Sequence, residues 1–259
     1  MKVAIIGAGN MGGAIARGLT KGTLVNVQDI TVSNPSNGKL EKLQAECPGI
    51  RVSNDNDEAI READIVILAV KPWMVEQVLT IIHLDAETQI LISVASGISF
   101  DRLASYVGPE ITMFRVIPNT AISQMESMNL IASRNAGKEQ EQLILDIFNE
   151  MGLSMLLPEE KMSAASSLSS CGTAFVMKYI QASMQAGIEL GLTAQEAMTM
   201  TAQCVKGAGE LILQEHTHPS VEIDKVTTPG GVTIRGINEL DHAGFTSAVI
   251  RGLKATMDQ

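Results

Sequence analysis

Residues 2–6, KVAII, form a short, β-branched apolar run, the pattern of a buried strand. The glycine turn GAGNMGGAIARGL leads from it into a helix. Strand patterns return at 30–33 (ITVS), 63–70 (ADIVILAV), 89–96 (QILISVAS), within 111–120 (ITMFRVIPNT), at 129–133 (NLIAS) and at 154–158 (SMLLP). The run at 63–70 is apolar throughout, as in a parallel sheet covered on both faces. Helical patterns lie between them, over 36–46, over PWMVEQVLTII from Pro72, over FDRLASYV and over 138–151. Pro72 suits the first turn of a helix. Alternation of strand and helix to about residue 157 predicts a doubly wound α/β sheet.

After Pro158 the period changes. Residues 159–190 contain no proline, keep a helical apolar spacing and stop at Gly191. Thr193-Ala-Gln-Glu196 is a capping-box pattern that opens a second helix, running to about Glu215. HTHP breaks that helix, and DHAGFTSAVIRGLKATM, residues 241–257, closes the chain as another. Two domains are expected, 1–158 of α/β type and 159–259 all-α. Long helices rich in small residues and Met suggest that the second domain buries apolar faces against a second copy.

A length of 259 residues suits two domains. The net charge of −10 argues against nucleic acid and anionic membrane as partners. Three widely spaced cysteines, Cys47, Cys171 and Cys204, form neither a disulfide framework nor a zinc knuckle and fit a reducing compartment. The four histidines are too scattered to hold a metal, and none is expected. The apolar run before the first glycine is too short for a signal-peptide core, and no stretch reaches the length of a membrane span. The cytoplasm is the expected location.

Candidate chemistry starts at Gly7-x-Gly9-x-x-Gly12, which follows a strand and opens a helix, the context of a dinucleotide fingerprint. Gly7 would permit the tight turn, Gly9 the approach of a pyrophosphate, and Gly12 close helix–strand packing. Where an NAD site places a carboxylate after its second strand, this chain has Ser33-Asn34-Pro35-Ser36, with Lys39 the nearest cation. Ser33, Asn34 and Ser36 could donate to a 2′-phosphate, which favours NADPH and leaves NADH open. A plain polar loop would read the same. Lys71, Arg115 and Asn119 follow strands at the edge where ligands bind in such sheets.

In the helical half, DKVTTPGGVTIRG (224–236) stands out, because Pro and paired Gly are poor helix guests. Thr228 reads as an N-cap and Pro229 as the first helical residue. That leaves the N–H groups of Gly230, Gly231 and Val232 without intrahelical partners and open to a small carboxylate, with Thr233 one turn in. A simple interhelix turn is the competing reading.

IIGAGNMGGAI, AVKPW, FRVIPNT, AFVMKYIQASMQAGIELGLT and above all DKVTTPGGVTIRGINELD, in this order and spacing, resemble the pyrroline-5-carboxylate reductase family of proline biosynthesis. The resemblance covers nearly the whole chain. Two departures stand out. The family usually opens its long helix with Gly-Ser-Gly-Pro-Ala, where this chain has Ser169-Ser-Cys-Gly-Thr-Ala174. It usually has Leu-Arg before the signature, where this chain has Glu222-Ile223.

The resemblance implies an N-terminal doubly wound Rossmann domain followed by an all-α C-terminal dimerisation domain. It implies reduction of the imine 1-pyrroline-5-carboxylate to L-proline by NADPH or NADH. Thr233 would hydrogen-bond the ring nitrogen, and Thr228, Gly230, Gly231 and Val232, with Asn119, would bind the rest of the substrate. The expected cofactor set is Gly7, Ala8, Gly9, Asn10, Met11, Gly12, Ser33, Asn34, Ser36, Asn56, Ala69, Val70, Lys71 and Ser96. A homodimer is expected, with a higher oligomer such as a decamer beyond it. Two other readings stand beside this one. A 3-hydroxyacid dehydrogenase would need a lysine in the interdomain helix, where only Lys161 and Lys178 occur and neither sits in that family's motif. A non-enzymatic NADP-binding sensor would bind cofactor without turnover.

Overall fold

The computed structural model describes residues 1–257. Eight strands form one sheet: β1 (Val3–Ile6), β2 (Ile30–Ser33), β3 (Arg51–Ser53), β4 (Ile65–Leu68), β5 (Ile90–Ser93), β6 (Thr112–Ile117), β7 (Ser127–Arg134) and β8 (Gly152–Leu156). Their order is β3-β2-β1-β4-β5-β6-β7-β8. All neighbours pair in parallel except β6 and β7. The connecting helices of this part are α1 (Asn10–Lys21), α2 (Asn37–Glu46), α3 (Asn56–Ile60), α4 (Val75–Leu79), α5 (Phe100–Val107), α6 (Lys138–Asn149) and α7 (Met162–Ser166).

Side chains alternate across a strand, so each apolar run supplies two cores. Val3 and Ile5 of β1 face one core with Ile15 and Leu19 of α1 and Ile144 and Phe148 of α6. Ala4 and Ile6 face the other with Val75 and Leu79 of α4 and Phe100 and Leu103 of α5. β1 and β4 are wholly buried, as their unbroken apolar sequences require. The strand order turns back between β1 and β4, the switch point at which such sheets open a crevice beyond the strand ends.

Several elements depart from the expected pattern, which also lacked α3. β3 was absent from it, because Arg-Val-Ser is a three-residue edge strand with no apolar run. The helix expected from Pro72 is a 3-10 turn, Pro72–Met74, followed by the short α4.

The chain divides into two compact units, Met1–Ser170 and the residues from Cys171 onward. The expected division at Pro158 lies earlier. Residues 159–166 stay with the sheet because Glu159 Oε1 accepts from Arg115 Nη1 at 2.6 Å and from the Phe100 N–H at 2.8 Å. Met162 is also buried in the second core. A π-helical turn, Ser167–Cys171, follows α7, so the single helical segment expected over 159–190 is interrupted.

The second unit holds α8 (Gly172–Glu189), α9 (Ala194–Glu215), α10 (Pro219–Val226), α11 (Val232–His242) and α12 (Phe245–Ala255). Thr193 and Glu196 form the capping box in both directions. Gly187 lets α8 approach α9, since a Cβ there would stand 2.9 Å from Ala197 Cβ. The closing helix expected over 241–257 starts later, at Phe245, because Gly244 breaks the chain with φ +80. Among the described residues of this unit only Ala197 is buried. Phe175, Met177, Tyr179, Met200, Leu213 and Ile250 are exposed on the single chain.

Candidate active site

β1 runs straight into the glycine turn. Gly7 has φ +107, in the region that favours glycine, and a Cβ there would lie 2.5 Å from the Ala69 carbonyl oxygen. Its N–H donates to the Ser33 carbonyl at 2.8 Å, tying the turn to the end of β2. A Cβ on Gly12 would fall on the Gly7 carbonyl, so α1 can pack this close only with glycine. Gly9, the N-cap of α1, has no atom within 4 Å of where its Cβ would be. The first N–H groups of α1 have no intrahelical partner and the helix dipole favours an anion there.

A cleft of about 990 Å³ opens at this place, beyond the ends of β1, β2, β4 and β5. Of the residues expected around a cofactor, Gly7, Gly9, Asn10 and Met11 line it from the glycine turn. Ser33, Asn34, Ser36 and Asn56 line it from the β2 side, and Ala69, Val70, Lys71 and Ser96 from the ends of β4 and β5. Ala8 and Gly12 are not on its wall. The Ala8 N–H donates to Asn34 Oδ1 at 3.1 Å, and Gly12 serves helix packing.

The polar end differs from three free donors. Ser33 is fully buried and its hydroxyl donates to Asn56 Oδ1 at 2.7 Å. Asn34 is buried too. Its oxygen holds Ala8, and its Nδ2 donates to Ser36 Oγ at 2.9 Å and to the Ser36 carbonyl at 3.2 Å. Asn34 is therefore the strut between the glycine turn and the β2–α2 loop. Ser36 remains exposed, with its own proton to give. Three cations, Arg17, Lys39 and Lys71, stand on the wall, and among the described residues no Asp, Glu or His does. Arg17 was missed in the sequence because it lies within α1, far along the chain from the loop that reads the ribose in other sheets of this type.

In the second unit, Thr228 to Gly231 form a reverse turn closed by the Gly231 N–H on the Thr228 carbonyl at 2.9 Å. Pro229 occupies its second position and Gly230, with φ +72, its third, the residues a type II turn selects. This corrects the expected helix start. The N-cap is Gly231, not Thr228, and α11 begins at Val232. The Gly231 N–H is consumed by the turn, so the N–H groups left open belong to Val232 and the following residues. Gly231 itself fits closely, since a Cβ there would stand 2.6 Å from Thr228 Oγ1. Thr233 lies in the first turn of α11, beside these N–H groups in sequence. Arg235 folds back over the turn, with Nε 3.4 Å from the Gly231 carbonyl and Nη2 3.4 Å from that of Gly230.

Asn119 belongs to the first unit, and both its side-chain atoms are committed there. Its Oδ1 caps the 3-10 turn Thr120–Gln124 through the Ala121 N–H at 2.9 Å. Its Nδ2 donates to the Ser169 carbonyl in the π turn at 3.3 Å. Thr120, Ile122 and Ser123 of the capped turn line the cleft, so Asn119 shapes that wall from behind.

Sequence models of known families divide the chain in the same sense. The pyrroline-5-carboxylate reductase dimerisation model matches residues 159–259, and a model described as NADP oxidoreductase, coenzyme F420-dependent, matches residues 2–97. The pyrroline-5-carboxylate reductase of Methanosarcina acetivorans is 37% identical over 256 residues, covering 96% of this chain and 94% of that protein. The chain belongs to the pyrroline-5-carboxylate reductase family. Pyrroline-5-carboxylate reductase 1 of Dictyostelium discoideum is also 37% identical over 99% of the chain, which spans about half of that relative's length, 49%. The crystal structure of Plasmodium falciparum pyrroline carboxylate reductase with NADP bound superposes with a TM-score of 0.88 at 27% identity, over 100% of this chain and 96% of that one. The family's dimerisation model thus contains the whole of the Thr228–Thr233 turn.

Proposed function

We propose that the chain reduces the C=N bond of 1-pyrroline-5-carboxylate, giving L-proline, with NADPH as the hydride source. The observation that carries this reading is the Thr228–Thr233 turn, which is matched in a family named for this substrate and suits a small carboxylate. Thr228 and the open N–H groups at the start of α11 hold the carboxylate, as helix N-termini hold anions. Thr233 hydrogen-bonds the ring nitrogen. The cleft in the first unit fits a dinucleotide phosphate, because Gly9 is open and the turn around Gly7 and Gly12 leaves no space for side chains. The wall of cations without a carboxylate favours NADPH over NADH. NADPH, when bound, supplies a hydride to the imine carbon.

The proton bookkeeping explains the missing histidine. A cyclic imine nitrogen is basic and arrives protonated, so hydride addition leaves a neutral secondary amine that then takes a proton from water. A ketone oxygen would need a positioned acid, and among the described residues the cleft wall has no carboxyl or imidazole. On this reading the imine brings its own proton, and the chain contributes orientation and anion binding. Oxidation of NADPH and of NADH with pyrroline-5-carboxylate, beside 3-hydroxyacids run in reverse, tests this. Turnover of hydroxyacids and none of the imine would overturn it.

The exposed apolar helices of the second unit, with only Ala197 buried among the described residues, support a homodimer through the matched dimerisation region. Sedimentation at low concentration tests it, and an active monomer would refute it. A decamer is the higher assembly the same measurement would reveal. Three free cysteines support the cytoplasm, and among the described residues no helix is long and apolar enough to cross a membrane.

A further inference from the structure

From the wall of the cleft we infer that Arg17, on α1, is the residue that makes this chain prefer a cofactor with a 2′-phosphate. The inference rests on the cofactor reading above and names the group that discriminates. The loop after β2 has no arginine, and its serines and asparagine are largely spent. Ser33 is buried on Asn56, and Asn34 is held between Ala8 and Ser36. A phosphate dianion with only neutral donors around it would be poorly compensated.

α1 supplies what the loop lacks. Side chains on a helix lean toward its N-terminus, so Arg17 reaches back toward the glycine turn. Its guanidinium lies over Gly13, where a Cβ would stand 3.5 Å from both Nη atoms. Gly13 is buried and is not needed for the glycine turn, and its missing side chain is the berth for the guanidinium. From there Arg17 lines the same cleft as Ser36 and Lys39, and of these three it alone offers a fork of donors suited to phosphate oxygens.

Arg17 is held by Glu46, the last residue of α2, through Nη1 on Oε2 at 2.8 Å, with both side chains about a third exposed. That carboxylate occupies part of a fork suited to a phosphate. A guanidinium has five donors, so it can keep Glu46 on one edge and offer the other. Glu46 therefore fixes the guanidinium in place and also dilutes its charge, which sets the strength of the preference.

The test is calorimetry on the apo homodimer with NADPH, NADH and adenosine 2′,5′-bisphosphate as probes. Arg17→Gln should weaken NADPH and the bisphosphate by roughly ten-fold and leave NADH within about two-fold. It should also flatten the salt dependence of NADPH binding. Arg17→Lys should restore part of the loss, because it keeps the charge without the fork. Glu46→Gln should tighten NADPH by about two- to five-fold, the worth of an exposed ion pair, and leave NADH alone. Equal losses of NADPH and NADH in Arg17→Gln, or no loss of either, would overturn the inference while leaving the cofactor reading intact. If wild-type protein binds none of the three probes, the cofactor reading falls and this inference with it. Glu46→Gln sits on the exposed side of α2, so it decides the question even if Arg17→Gln lowers stability.

Discussion

Gly231→Ala isolates how the carboxylate turn is built. A Cβ at this position would lie 2.6 Å from Thr228 Oγ1 and 3.0 Å from the Thr228 carbonyl oxygen. Backbone cannot move far there, because the Gly231 N–H closes the turn on that same carbonyl at 2.9 Å. Thr228 must rotate away instead. Pushing it off its rotamer costs about 0.5–1.5 kcal/mol, and a hydroxyl withdrawn from a bound carboxylate forfeits about 1.5 kcal/mol more. The sum, about 2–3 kcal/mol, is roughly a thirty- to 150-fold loss in kcat/KM, expressed mainly as a higher KM for the imine acid. NADPH affinity should hold, since every residue lining the cofactor cleft is in the first unit. The assay is steady-state kinetics of a double-mutant cycle with Thr228→Ala. If the clash with Oγ1 is the cause, Gly231→Ala should cost little once that hydroxyl is gone, giving a coupling of about 1 kcal/mol or more. Strict additivity would refute the reasoning, because the methyl group would then be acting on something other than Thr228.

Asn34→Asp keeps an acceptor for the Ala8 N–H but turns the donor facing Ser36 into a carboxylate oxygen on a wall that has none among its described residues. Titration should show NADPH affinity falling by about 1–3 kcal/mol more than NADH affinity, and equal falls would mean that Asn34 acts only through the glycine turn. Thr233→Ala should lower kcat/KM by about ten- to two-hundred-fold without abolishing turnover, since the imine does not depend on it for a proton; a folded but dead variant would give Thr233 a larger role. Glu150 pins the end of α1 through Thr23 and Leu24, and although burial opposes its charge, hydrogen bonds from the Thr23 hydroxyl and from the Thr23 and Leu24 N–H groups hold its carboxyl below the ordinary range. A carboxyl lowered by folding stabilises fully at neutral pH and loses that contribution as pH falls through its lowered value, so Glu150→Gln should lower Tm near neutral pH and flatten the fall of Tm on acidification; parallel curves would dismiss the role.

The sheet was readable wherever a strand is buried on both faces. β1 and β4 are apolar because both their faces are buried, and their runs appear in the sequence within a residue or two of the strands. β3 was not readable, since an edge strand of Arg-Val-Ser has little apolar surface to advertise. The start of α11 was misplaced for a different reason. Thr-Pro followed by Gly satisfies both an N-cap with proline in the first turn and a type II turn, and only the φ of Gly230 and the bond from Gly231 to Thr228 decide between them. The family's dimerisation model begins at residue 159, as expected, yet the first residues of that segment pack with the sheet because Glu159 is claimed by Arg115 and Phe100, contacts that are distant along the chain. Asn34 was readable as a residue of the cofactor loop but not as its strut, because the Ala8 N–H that it accepts comes from another strand end. The cation on α1 has the same character. No local pattern marks an arginine as facing a cleft when the cleft is made by the next strand over.

These charges are sorted along the strand direction, and that sorting bears on how an acidic protein attracts an anionic cofactor. The chain carries −10, yet the cleft at one edge of the sheet shows Arg17, Lys39 and Lys71 with no carboxylate among its described lining residues. At the opposite edge, before β4 and β5, a hollow of about 440 Å³ gathers Asp57, Glu62, Asp64 and Asp85 around Arg61 and His83. A polyanion feels the local field once it comes within a Debye length of about 8–10 Å, and beyond that distance the net charge is largely screened. Helix α1 adds its N-terminal dipole at the same edge as the cations. The net charge therefore favours solubility and resists nucleic acid, while the near field at the strand ends still points a dinucleotide toward the glycine turn. The two requirements are compatible because a doubly wound sheet separates the two ends of its strands by the length of the strands themselves.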